Sequence, residues 1–411
     1  MSAPEITVTN ELLDQWATDP NGPVALHLKQ KLLPVEGEGG VIFPPTYADI
    51  GYNIDELSDG TKVATIDSVG SQANRMEPIF KSTGKNENGE ELNPLAALVP
   101  QIEIVLNIKE KDGEKYEKRQ SLLDLAHRSA DAVVKATPSL AKLIDPAFEE
   151  LSRHRNAGPL CAVAPTSLLF GVWDSRDGTG EKRPRLVRSI IRAWDVEPLS
   201  CAAQFNSIWK SLEKDQQEEL EKEAKAKKTK LSGKGFADAP AVFRKVSQNA
   251  AKQMTEFRDG SPNPERRSLG GVLAKGAIER NVTVNLVALR AISGSLAAAD
   301  NKPEVTAEEL RRYLLSLALL AGTADQDLFL REGCLLRYAD EDTWHAVPRR
   351  GEEKKIDLAS DAAKKALANY ARTQAGSILK HWPATLEYRF DLKEAKKNIG
   401  KKDAEEEISA L

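Results

Sequence analysis

The sequence predicts an α+β fold, on three observations. Short segments of period-two alternation are spread from residue 62 to residue 392, helical segments of period 3.6 lie between them, and the last alternating segment needs a sheet begun much earlier in the chain. With 411 residues, 41% of them hydrophobic, the chain can bury the core of one large or two modest domains.

The elements follow in order. Pro20, Pro23, Pro34, Gly37, Gly39, Gly40, Pro44 and Pro45 predict a loop-rich β opening over residues 1–60 rather than long helices. Residues 62–67 read as a strand, and residues 68–77 as a strand-to-helix junction. Ile102, Ile104 and Leu106 alternate with polar neighbours over residues 101–107, and Asp112-Gly113 then signals a hairpin. Leu122, Leu125, Ala126, Ser129, Ala130 and Val133 share one side of an expected helix over residues 122–135. Residues 162–173 are apolar and read as a strand, followed by an exposed loop over residues 174–184. Residues 213–230 have almost no apolar side chains and read as a solvated helix or a mobile insertion. Residues 282–289 suggest a strand; Thr306 and Glu309 form a capping box for a helix carrying Leu310, Leu314, Leu317 and Ala321, with Gly322 as its stop. Leu386, Tyr388, Phe390 and Leu392 give the late strand, and the lysine- and glutamate-rich tail beyond it is expected to fray. The organisation expected is an N-terminal β segment to residue 60, a core over 61–392 with a charged insertion near 213–235, and a tail over 393–411.

A net charge of −4 provides no global attraction to polyanions, so a nucleic-acid site has to be a local basic groove. No apolar run is long enough for a membrane span and no leader pattern opens the chain, so a cytoplasmic protein is expected. Cys161, Cys201 and Cys334 lie far apart and read as core residues, without disulfide or zinc spacing. His27, His127, His154, His345 and His381 are scattered without metal-ligand spacing, and no phosphate-binding loop or nucleophile elbow occurs, so neither metal nor cofactor is expected.

The densest cationic stretch is residues 176–192, with Arg176, Lys182, Arg183, Arg185, Arg188 and Arg192 beside Gly178 and Gly180. Arginine forks suit phosphate oxygens, although the same residues could pair with Asp174, Asp177, Glu181 and Asp195 in a solvated loop. Ser71, Gln72, Asn74 and Arg75 gather donors beside Gly70, fit either for sugar-phosphate contacts or for a polar helix start. Lys275, Arg280 and Asn281 form a similar set near Gly270, Gly271 and Gly276. Trp173 could stack on a splayed base or join the core, whereas Phe170 and Trp194 read as core.

Residues 68–77 (SVGSQANRME), 97–104 (ALVPQIEI), 122–134 (LLDLAHRSADAVV), 167–200 (centred on FGVWDSR) and 270–290 carry a resemblance. From about residue 60 to residue 340 the chain resembles the backbone RAMP (Cas-seven-like) subunit of type I-G CRISPR Cascade complexes, formerly I-U. The resemblance implies an RRM-like, ferredoxin-like βαββαβ palm with long insertions forming a thumb-like hairpin. It implies a non-catalytic protein that polymerises with copies of itself along a guide RNA (crRNA), presents that guide to a target DNA strand, and joins other Cascade subunits. Ser71, Gln72, Asn74, Arg75, Arg176, Lys182, Arg183, Arg185, Arg188 and Arg280 are the expected backbone contacts. Two other readings remain open: a metal-dependent ribonuclease using Asp174 or Asp177, and a guide-processing endonuclease using His127.

Overall fold

Alternation over ALHLKQKLLP builds the strand Ala25–Pro34, which buries Leu26, Leu28, Gln30 and Leu32 on one face and turns His27, Lys29 and Lys31 to the other. In the computed structural model this strand is the axis of a ten-stranded sheet; the model describes residues 6–47, 50–109, 115–174, 181–200, 212–229, 231, 269–299, 301–339 and 342–399. Ile278–Asn285 pairs along one side of the axis, Val187–Trp194 pairs with that strand, and Lys62–Asp67 and Ile54–Glu56 complete the wing. On the other side Trp344–Val347 and Cys334–Tyr338 pair with successive stretches of the axis, and Lys354–Asp357 and Ile6–Thr7 lie beyond. Pairing in this sheet is antiparallel except between Ile6–Thr7 and Lys354–Asp357.

The helices lie against the face that carries Leu26 and Leu28. Val69–Met76 rests on Val187–Trp194, while Ala307–Thr323 crosses Ile278–Asn285 and packs on Asp361–Leu379. The capping box of Thr306 and Glu309 is formed as expected. Gly322, expected to end that helix, is internal to it: a Cβ there would come 3.1 Å from the Trp344 ring, so the glycine lets helix and sheet approach.

The strand at Lys62–Asp67 and the junction at Val69–Met76, capped by Ser68, match the sequence reading. So does the late strand, since Glu387–Arg389 pairs with Glu103–Lys109, which also pairs with Lys115–Ser121 in a second, smaller sheet. The Asp112-Gly113 turn lies outside the described residues. The segment near residue 282 is a strand only to Asn285, whose side chain then caps the short helix Leu286–Arg290. The charged segment contains the helix Lys214–Ala226.

The opening carries the strands Ile6–Thr7, Ala25–Pro34, Val41–Ile42, Thr46–Tyr47, Gly51–Tyr52 and Ile54–Glu56, and it also holds the helix Asn10–Thr18, which buries Leu13, Trp16 and Ala17 under a Thr9 cap. Three further expectations fail, each for a local reason. The segment 162–173 is mostly two short helices, Gly158–Val163 and Pro165–Phe170; both are buried all round, so no helical period shows, and Gly171 at φ 81° ends the second. The tail continues as the helix Leu392–Ile399, tied back where Asn398 donates to the carbonyl of Lys135. Residues 122–135 form two 3₁₀ turns, Leu122–Asp124 and Arg128–Ala130, and the short helix Ala132–Lys135, because Arg128 takes φ 53° and breaks the spiral.

Arg128 explains its own backbone. Its side chain is buried, its Nε lies 2.7 Å from Glu77 Oε2, Nη1 donates to the Gly171 carbonyl and Nη2 to Asn74 Oδ1, and its guanidinium covers the Phe170 ring. Burial pushes the Glu77 carboxyl up to about 7, with Arg128 and the Thr166 hydroxyl pulling the other way. A raised carboxyl favours the fold below its ordinary range and loses that contribution as pH climbs through about 7. Arg128→Met removes the opposing charge and moves the Glu77 pKa further up. Denaturant titration should therefore show a larger stability loss for Arg128→Met at about pH 8 than at about pH 5.5, the gap growing by up to about 1.4 kcal/mol per pH unit. An equal loss at both values would exclude the pairing.

A second buried polar group crosses the inner face. Arg280 Nε donates to Gln72 Oε1 and Ser189 Oγ, both at 3.2 Å, and its Nη1 donates to Gln30 Oε1 at 3.3 Å. Gln72 Nε2 donates to Asp67 at 2.7 Å, and Arg75 and Arg331 pair with the same carboxylate at 3.1 and 3.3 Å. This layer separates the main apolar core, with Leu28, Val282 and Leu314, from a smaller one with Leu32, Ile66 and Ile278. Asp67→Ala strips one acceptor from three donors at once and should cost about 3 kcal/mol in chemical denaturation, against less than about 0.5 for Lys29→Ala on the outer face.

Candidate nucleic-acid interface

The strands that carry the cations are set by the apolar residues facing the other way. In Val187–Trp194, Val187, Ser189, Ile191 and Ala193 point to the buried face, which leaves Arg188 and Arg192 on the outer face. Just before this strand, Val172–Asp174 and Glu181–Arg183 form a two-stranded ribbon in which Trp173 stands opposite Lys182. Trp173 is 55% exposed, with Lys182 Nζ 5.7 Å from its ring centroid, so an aromatic face and a cation are presented together.

Arg185 leaves the ribbon over Gly171, where an added Cβ would fall 2.9 Å from Arg185 Cγ. Partial burial and then the positive charges of Arg128 and Arg188 lower the Arg185 pKa. Arg128 is neutralised by Glu77, but among the described residues no ion pair joins Arg185 or Arg188 to a carboxylate. Two exposed guanidinium groups crowded together beside an exposed indole form a local anion-attracting spot on a chain of net charge −4.

The outer face of the sheet continues from this spot. Ile190 stands opposite Asn281 and Asn281 opposite Lys29; the next row holds Arg192, Glu279 and Lys31. Lys29 is 61% exposed and reaches Glu279 at 2.8 Å. His27 and His345, dismissed in sequence as scattered, are cross-strand neighbours on the same face. Sequence reasoning missed Lys29, His27 and His345 because it did not recognise Ala25–Pro34 as a strand; basic or imidazole side chains at the odd positions of HLKQK were the available signal.

The residues singled out from sequence thus divide. Trp173, Lys182, Arg185 and Arg188 are exposed and Asn281 is half-buried on the same outer face. Arg183 is half-buried and donates to the Leu151 carbonyl at 3.3 Å. Lys275 is exposed but paired with Glu197 at 2.8 Å. Gln72 and Arg280 are buried in the polar layer, Arg75 is held there by Asp67 and the Leu330 carbonyl, Ser71 is half-buried at the helix start, and Asn74 is exposed and receives Arg128. Arg176, Asp177 and Cys201 lie outside the described residues, as do the side chains of Asp174 and Glu181. Cys161 and Cys334 are buried, and burial pushes the Cys334 thiol up to about 11. Phe170 is buried beneath Arg128. Among the described residues no helix is long and apolar enough to cross a membrane, and no three His, Cys, Asp or Glu side chains gather in a way that could hold a metal ion.

No curated protein matches the chain. Residues 26–198 match the model of a family described as CRISPR-associated protein GSU0053. The matched stretch runs from the axial strand through the ribbon and the arginine-bearing strand, and it supports a CRISPR-associated role for this chain.

Proposed function

We propose that this chain is a non-catalytic backbone subunit of a CRISPR Cascade complex, which binds the guide RNA (crRNA) through its phosphates and polymerises along it. The observation that carries the reading is the pair of exposed guanidiniums, Arg185 and Arg188, beside the exposed Trp173 and Lys182. A protein that coats guides of any sequence needs cations for phosphates and flat surfaces for bases, and needs no pocket that reads base edges.

The strand order supports an RRM-related core. Trp344–Val347, Ala25–Pro34, Ile278–Asn285 and Val187–Trp194 lie side by side as fourth, first, third and second in chain order. Val69–Met76 lies between the first and second in sequence, and Ala307–Thr323 between the third and fourth, which is the βαββαβ connectivity. Both helices cover one face and leave the basic face for the guide. In this reading the target DNA strand is reached only through the guide, neighbouring copies and other Cascade subunits complete the complex, and the work takes place in the cytoplasm without a metal or cofactor.

Co-expression with a CRISPR array and its processing partner tests the reading. Large particles carrying spacer-length RNA are expected after size exclusion, and an RNA-free monomer would overturn it. Mg²⁺-dependent cleavage lost in Asp177→Ala would instead favour the ribonuclease alternative. Alanine at both Arg185 and Arg188 should weaken binding to unrelated RNA sequences alike and flatten the log–log salt dependence by about 1.4, from about 0.7 per phosphate contact on a single strand. Trp173→Ala should cost about 1–3 kcal/mol of binding through lost stacking, read by anisotropy on a labelled oligouridine.

A further inference from the structure

Strand register places two imidazoles in the middle of the outer face. His27 on the axial strand stands opposite His345 on one side and Thr283 on the other, with its Nδ1 3.2 Å from Thr283 Oγ1. The same row continues to Arg188 beyond Thr283 and to Lys355 beyond His345. Five strands at the usual spacing make this line roughly 19 Å long. A cation ends the line on each side, with the two imidazoles between Thr283 and Lys355.

We propose that His27 and His345, with Lys29 and Lys355 beside them, form a phosphate subsite for the RNA backbone, and that occupancy of this subsite is coupled to protonation of His27. The proposal rests on the RNA-binding reading above and extends it by a site and by a response to pH.

The charges facing His27 decide the sign. Burial lowers its pKa most; Glu353 opposes this, His345 and Lys29 reinforce it, and a hydrogen bond with the Val282 backbone opposes it. Glu279 is held by Lys29 on the same face, and Lys355 lies one strand beyond His345. In the free protein His27 is therefore neutral at neutral pH and shares its Nδ1 with the Thr283 hydroxyl. A phosphate between the two rings adds the negative charge that an imidazolium needs and offsets the repulsion from His345 and Lys29. By linkage, RNA then raises the affinity for protons and protons raise the affinity for RNA, by at most about tenfold per pH unit for each proton taken up. The buried Glu77 also titrates near neutral pH but sits on the helix side of the sheet, so variants separate the two.

The test is the affinity of a labelled oligouridine at constant ionic strength, measured by anisotropy from about pH 7.5 to about pH 5.5. Wild-type binding should tighten about tenfold or more over this range, and the tightening should shrink below about twofold in His27→Gln combined with His345→Gln. Calorimetry of wild-type binding in two buffers of different ionisation enthalpy gives a second readout that needs no variant: net proton uptake near pH 6.5 is expected. Affinity independent of pH, a slope that survives the double substitution, or zero proton uptake would each remove the subsite while leaving RNA binding in place. Absence of RNA binding at both ends of the range would remove the subsite and the RNA-binding reading together.

Discussion

The arrangement depends on a line of buried hydrogen bonds: Arg280 to Gln72, Ser189 and Gln30, then Gln72 to Asp67. A guanidinium 1% exposed beneath a sheet needs acceptors, and its Nε and Nη1 find them in Gln30 and Ser189 on two strands and in Gln72 on one helix. The requirement pins the register of the central strands, because a slip of one residue would turn Arg280 outward and bring Glu279 or Asn281 into the layer. Everything presented by the outer face follows from that register. Arg188, Asn281, Lys29 and His27 are where they are because Ser189, Arg280, Gln30 and Leu28 face the other side.

Sorting of charge by face also reconciles the composition with the proposed partner. The chain carries 62 acidic and 58 basic residues, and a bulk property computed from these numbers argues against a polyanion ligand. Several acidic groups are used in pairs: Glu77 neutralises Arg128, Asp67 holds Arg75 and Arg331, and Glu279 on the outer face is held by Lys29. Arg185 and Arg188 remain without such a carboxylate among the described residues. Spatial allocation, rather than net charge, makes the surface basic there.

Legibility in the sequence followed the range of the physics involved. The strand Lys62–Asp67, the strand-to-helix junction after it, the capped helix start at Thr306 and the late strand at Glu387–Arg389 were legible because capping and alternation are local. The helices at Gly158–Val163 and Pro165–Phe170 were not, because burial on all sides erases the amphipathic period. The inward turn of Arg128 was not legible, because its partner Glu77 lies far off in sequence. Arg280 and Gln72 looked like free donors for the same reason. The histidine pair depends on register between strands that begin near residues 25 and 344, which no local window contains.

The axial strand has a further consequence for how the chain is made. Among the described residues, Ala25–Pro34 pairs only with strands that begin at Ile278 or later. At ordinary translation speeds the ribosome needs roughly 10 to 50 s to deliver that first partner after the axial strand emerges. During this interval the strand has two open hydrogen-bonding edges, as would suit pairing with a neighbouring nascent chain. Lys29 and Lys31, at adjacent outward positions, work against that encounter by keeping the waiting segment charged and hydrated. The side chains that face solvent in the finished sheet thus act earlier as guards of the unfinished one.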